Sequence, residues 1–126
     1  MEKIIVESKE APAPIGPYSQ AVKAGNTLYV SGQIPLDAKT GEIVSNGIES
    51  ETIKVMDNIK AILDEAKLDF SNVVKCTIFM KNLGDFTSMN AIYGKYFTDN
   101  APARECVEVS KLPKGVNIEI SCIASY

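Results

Sequence analysis

The chain has 126 residues, 45% of them hydrophobic and 23% charged, with a net charge of −3. This suits one soluble domain able to bury a core without metals or disulfides, and it is a poor match to the basic patch of a nucleic-acid binder. There is no histidine, which excludes Ser-His-Asp and Cys-His mechanisms, histidine metal sites and histidine general bases.

In chain order, "KIIVES" reads as a first strand and "APAPIGPYSQ" as extended loop, since proline and glycine interrupt regular structure. "NTLYVSGQI" alternates Leu28 and Val30 with Tyr29 and Ser31, the period of a strand. Gly32 within that strand marks a bulge or a close approach by a ligand. "PLDAKTGEIV" predicts a turn at Thr40-Gly41 joining two hairpin arms. In "ESETIKVMDNIKAILDEAK", Ile53, Met56, Ile59, Ile62, Leu63 and Ala66 form the apolar stripe of a helix.

"NVVKCTIFMK" predicts a strand, with Val74, Cys76, Ile78 and Met80 on one face and Lys75, Thr77, Phe79 and Lys81 on the other. "GDFTSMNAIYGKYF" predicts a second helix starting near Asp85 or Thr87, with Phe86, Met89, Tyr93 and Phe97 at helical spacing and read as core. "PARECVEVSKLPKGVNIEISC" alternates like two strands joined by a turn at "LPKG". The order implies an α+β domain, residues 1–126, with a mixed sheet carrying two helices on one face. The second face is either solvated or covered by another subunit, and Phe79 on it favours a partner. No apolar run is long enough to span a membrane and "MEKIIVESKE" lacks a signal-like core, so a cytoplasmic protein is expected. Cys76, Cys106 and Cys122 are too widely spaced for a disulfide framework or a zinc knuckle.

Few residues remain to carry chemistry. Arg104 opens a strand and is either a surface arginine paired with Glu105 or Glu108, or a planar cation able to grip a carboxylate with two parallel donors. Cys106 shares its face and is a small buried hydrophobe, or a residue whose backbone holds a ligand. Glu119, between Ile118 and Ile120, is solvent-facing or orients a water. Whether Arg104 and Glu119 share a face depends on the register across "LPKG". Tyr18 follows Gly16-Pro17, where a stiff loop presents its hydroxyl.

Taken together, "IGPYSQAV", "LYVSGQIPLDAKTGEIV", "NVVKCTIFMKNLGDF", "PARECVEV" and "LPKGVNIEI" occur in the order found in the RidA family, also called YjgF, and the chain resembles that family over nearly its whole length. The resemblance implies a chorismate-mutase-like fold and a homotrimer with clefts between subunits. It implies hydrolysis of 2-imino acids, such as 2-iminobutanoate and 2-iminopropanoate, to 2-oxo acids and ammonia, with no cofactor. By the same analogy Arg104 binds the substrate carboxylate, the backbone of Cys106 helps hold substrate or water, and Glu119 positions the attacking water. Tyr18, Ser31, Gly32 and Asn90 match other cleft-lining positions. Two departures are visible: Glu105 stands where the family commonly has a small residue, and Ser121 where many relatives carry an acid. A non-catalytic carboxylate-binding trimer, an RNA-cleaving translation inhibitor and a chaperone-like surface are the rival readings.

Overall fold

The computed structural model describes residues 2–126. Six strands form one mixed sheet in the order β1-β2-β3-β6-β4-β5: β1 Lys3–Val6, β2 Ala21–Ala24, β3 Thr27–Gln33, β4 Val73–Met80, β5 Ala103–Glu108 and β6 Ile118–Ser125. Two helices, α1 Ile48–Glu65 and α2 Phe86–Tyr93, pack on one face. The α+β class, the mixed sheet and the two helices agree with the reading of the sequence.

The topology follows from the connections. β3 and β4 both run antiparallel to β6, so β3–α1–β4 is a crossover between parallel strands. β4–α2–β5 is a second crossover, and β5 pairs parallel with β4 at the sheet edge. Parallel strands need such a long connection, and a helix supplies it while covering the sheet. The final strand then fills the gap between β3 and β4. The strand-turn-strand pattern of residues 102–122 is therefore not a hairpin: β4 separates β5 from β6. Alternation alone specifies strands and not their neighbours.

Other local expectations are corrected by packing. β2, the segment "AVKA", escaped notice because four small and mixed residues carry no periodicity. Val73 is buried and Val74 is half exposed, because the register against β6 shifts between Val73 and Lys75; the buried row is Val73, Cys76, Ile78 and Met80. This bulge inserts one residue and exchanges the faces of its neighbours. In α1, Ile53 is 41% exposed and the buried stripe runs through Thr52, Val55, Met56, Ile59, Ile62 and Leu63. The expected hairpin over residues 35–44 is reduced to one bridge, Leu36 with Ile43. Its turn is fastened by Asp37, whose carboxylate accepts the N–H groups of Lys39 and Thr40. Those bonds, with Lys54 beside them, hold the Asp37 carboxyl at about 2. α2 ends at Tyr93, so Phe97 lies beyond it, yet its ring stays 4.8 Å from that of Tyr93.

The core lies between the helices and the buried rows of β3, β4 and β6. Leu28, Ile78, Met80, Ile118 and Ile120 meet Met56, Ile59, Leu63 and Met89 there. On the opposite face Tyr29 and Val107 are exposed, and Thr77, Phe79, Glu119, Ser121 and Ile123 are half-buried. No helix among the described residues is long and apolar enough to cross a membrane.

Candidate functional site

The second crossover builds the first group of site residues. β5 is an edge strand whose Arg104 pairs with Cys76 and whose Cys106 pairs with Ile78. Directly opposed residues share a face, so both point to the helix side. There α2 presents Phe86, Asn90 and Tyr93 along one stripe, at positions i, i+4 and i+7. Arg104 Nη1 donates to Asn90 Oδ1 at 2.7 Å. The guanidinium carbon lies 4.9 Å from the centre of the Tyr93 ring and 5.4 Å from that of Phe86. A cation over aromatic faces is attracted by their quadrupoles and held flat.

This arrangement does not pair Arg104 with Glu105 or Glu108. Glu105 pairs with Lys75 at 3.1 Å, and Glu108 accepts the N–H of Leu83 at 2.9 Å. Among the described residues no carboxylate pairs with Arg104. One hydrogen bond to Asn90 leaves most of its five donors unused. They border a cleft of about 340 Å³ lined by Asn90, Tyr93, Gly94, Phe97, Pro102 and Arg104, among others.

Tyr93 and Phe86 were assigned to the core by their spacing. Tyr93 is buried, at 5% exposure, but it also forms the platform beneath the cation. The signal that finds this second role is Asn90 falling on the same stripe. Among the described residues the Tyr93 hydroxyl has no hydrogen-bond partner, and burial, with the Cys76 thiol beside it, drives its pKa far up. The thiols of Cys76 and Cys106 are also pushed up by burial, Arg104 only partly offsetting it. Thiols held protonated are poor nucleophiles.

The second group lies around β3 and β6. The register between them shifts between Val30 and Gln33, so Ser31 and Gly32 form the bulge anticipated from the glycine. The bulge turns Gly32 toward Glu119. A Cβ on Gly32 would lie 2.7 Å from Glu119 Cδ, so the carboxylate occupies the space that any other residue would fill. The Ser31 hydroxyl donates to the Ser19 carbonyl at 2.6 Å and its N–H to that of Gln20 at 2.9 Å.

Gln20, unremarked in the sequence, is the anchor of this loop. Its buried side chain accepts the Ser8 N–H at 2.7 Å and donates to the carbonyls of Ser8 and Pro12 at 3.0 and 2.9 Å. The proline-rich segment is thereby fixed, and Tyr18 lines a small cavity of about 50 Å³ with Ile15, Gly32, Gln33 and Lys114.

Glu119 pairs with Phe79 and so stands on the face opposite the helices. It is half-buried, and burial raises its pKa above the ordinary 4.5. A carboxylate of raised basicity is better suited to accept a proton from water. Arg104 and Glu119 thus occupy opposite faces of one sheet and do not meet within a single chain. The structure gathers Arg104, Asn90 and Cys106 in one place, and Ser31, Gly32 and Glu119 near Tyr18 in another. No group of three or more Cys, Asp or Glu residues able to hold a metal occurs among the described residues.

Comparison with known proteins places this architecture. The family model described as endoribonuclease L-PSP matches residues 8–126. A RutC family protein of Pyrococcus abyssi is 52% identical over 124 residues, covering 98% of each chain. The structure of the YjgF gene product from E. coli superposes with a TM-score of 0.91 at 46% identity, covering 97% of this chain and 98% of that one. The structure of E. coli TdcF with bound serine superposes with a TM-score of 0.93 at 38% identity, covering 98% of each. On matches that run nearly its whole length, the chain belongs to the RidA/YjgF family, whose model bears the description endoribonuclease L-PSP.

Proposed function

We propose that the protein hydrolyses small 2-imino acids, such as 2-iminobutanoate and 2-iminopropanoate, to 2-oxo acids and ammonia. The observation that carries this reading is the Arg104 guanidinium, fixed by Asn90 and two aromatic rings, with no carboxylate paired to it among the described residues, at the border of a cleft. An oriented, uncompensated arginine is a receptor for a planar carboxylate. The TdcF structure is described with bound serine, an α-amino acid, which supports a ligand of that kind.

The chemistry needs little more. A protonated imine is already electrophilic at C2. Water adds there, giving up a proton to the Glu119 carboxylate and forming a tetrahedral aminoalcohol. The nitrogen takes that proton back from Glu119, the C–N bond breaks and ammonia leaves. The hydroxyl oxygen then gives its proton to the Glu119 carboxylate, which passes it to the departing ammonia, and becomes the keto oxygen of the product. Orientation of reactants alone can supply roughly 7 kcal/mol or more of barrier lowering, so neither histidine nor a strong acid is required.

The separation of Arg104 from Glu119 gives the site its second component. A ligand touching both has to lie between two copies, the helix-side edge of one facing the open sheet face of the next. Two different surfaces then meet, and such head-to-tail contacts close into rings. A ring of three is the assembly that the family resemblance implies, and it gives the half-buried Phe79 face a partner.

The test is direct. Purified protein mixed with freshly generated 2-iminobutanoate accelerates release of the oxo acid over buffer. No acceleration removes the enzyme reading, and retained binding of 2-oxobutanoate would then favour a carboxylate sensor. The family description raises RNA cleavage as a second reading, but a net charge of −3 and the lack of histidine give it no physical support. Cys106→Ala is expected to keep kcat within about tenfold of the parent, because its thiol is held protonated and takes no part in the reaction. Total loss in that variant, measured with intact protein, would assign the thiol a direct role.

A further inference from the structure

Glu51 is the least explained charge in the molecule. It lies in the first turn of α1, is 1% exposed, and among the described residues no cation pairs with it. A buried carboxylate without a cation is costly unless hydrogen bonds fill its acceptors. Both bonds come from one residue. Glu51 Oε1 accepts the Asn117 backbone N–H at 3.1 Å and Oε2 accepts Asn117 Nδ2 at 2.7 Å. The carbonyl of Asn117 accepts the Lys81 N–H at 3.1 Å, just past the end of β4.

Asn117 is thus fastened by three of its own groups. It follows a tight turn in which Lys114 and Gly115 both take positive φ, 56° and 69°. Lys114 is strained there, so the turn does not set its own geometry. The residue after Asn117 begins β6, and Glu119 follows one further on. Glu119 also has Gly32 packed against its carboxylate, and among the described residues its side chain makes no hydrogen bond to hold it.

We propose that Glu51 is a positioning residue for hydrolysis, acting through Asn117 to set where the Glu119 carboxylate aims. The inference rests on the reading that Glu119 activates water. It requires no contact between Glu51 and substrate. A shift of a fraction of an ångström at the start of β6 moves the base relative to C2, and misplacement on the order of 1 Å can cost about a hundredfold in rate.

The test uses the intact oligomer. Glu51→Gln keeps the shape but removes one acceptor, leaving an amide N–H facing a donor of Asn117. It is expected to lower kcat about tenfold with KM unchanged, since Arg104 is untouched. Asn117→Ala, at an exposed residue, removes only the Nδ2 bond and is expected to give the same signature should Glu51→Gln fold poorly. Combining Glu51→Gln with Asn117→Asp reverses donor and acceptor and is expected to restore kcat. Introduced into Glu119→Gln, the Glu51→Gln change is expected to cost nothing further, because residues acting through one group are not additive. An equal loss in both backgrounds, a rise in KM, or no loss at all overturns the proposal while leaving water activation by Glu119 intact. Full activity of Glu119→Gln alone overturns both.

Discussion

Arg104→Ala is expected to lower kcat/KM for 2-iminobutanoate by at least a hundredfold while leaving the fold and the oligomer intact. Each hydrogen bond between charged partners contributes about 1.5–3 kcal/mol, and a guanidinium gripping a carboxylate makes two. Losing the pair therefore corresponds to about 3–6 kcal/mol in kcat/KM. The cost to stability is small. Arg104 is exposed on an edge strand, donates one hydrogen bond, to Asn90, and stacks on Tyr93 and Phe86. Removing an exposed cation from an aromatic face costs about 0.5–1 kcal/mol. Steady-state kinetics beside a thermal melt checks both halves. Near-normal turnover would mean that the substrate is not held by its carboxylate here.

Glu119→Gln is the second large effect, and its signature differs. It is expected to reduce kcat by about a hundredfold or more with little change in KM, since the amide fits the space beside Gly32 but accepts no proton. Burial raises the folded-state pKa of Glu119 above 4.5. The folded state therefore favours the protonated form. That preference is fully expressed below the unfolded-state pKa and is lost as pH rises through the raised one. At neutral pH the ionised carboxylate is thus slightly unfavourable to the fold, and the glutamine variant melts no lower than the parent. In the parent, kcat falls as pH drops through the raised pKa of Glu119, and the variant lacks this limb. A variant that melted well below the parent would point to a structural carboxylate instead.

Much of this was legible in the residues, and what was not has physical causes. The two helices and the long strands announced themselves by periodicity. So did Gly32, because a glycine inside an apolar strand signals a bulge, and the bulge is where Glu119 fits. Val74 was misplaced because one inserted residue exchanges the faces around it without changing composition. The neighbours of β5 and β6 were misjudged because pairing is decided by crossovers rather than by the strands themselves. That register was also the one unknown separating Arg104 from Glu119, and only the tertiary structure resolves it. Gln20 and Glu51 stayed silent for a related reason. A buried polar side chain reads as an exposed one until its partners, 8 to 66 residues away, are known.

The central claim is that one catalytic centre takes Arg104 from one copy and Glu119 from another. The most direct measurement is the activity of a mixture of Arg104→Ala and Glu119→Gln chains, denatured together and refolded. Each variant alone is expected to be nearly inactive. In a closed ring with random assortment, about one site in four joins an intact Arg104 to an intact Glu119, so the mixture recovers roughly a quarter of parental activity. A mixture as inactive as its components, although shown to have exchanged subunits, would contradict the claim.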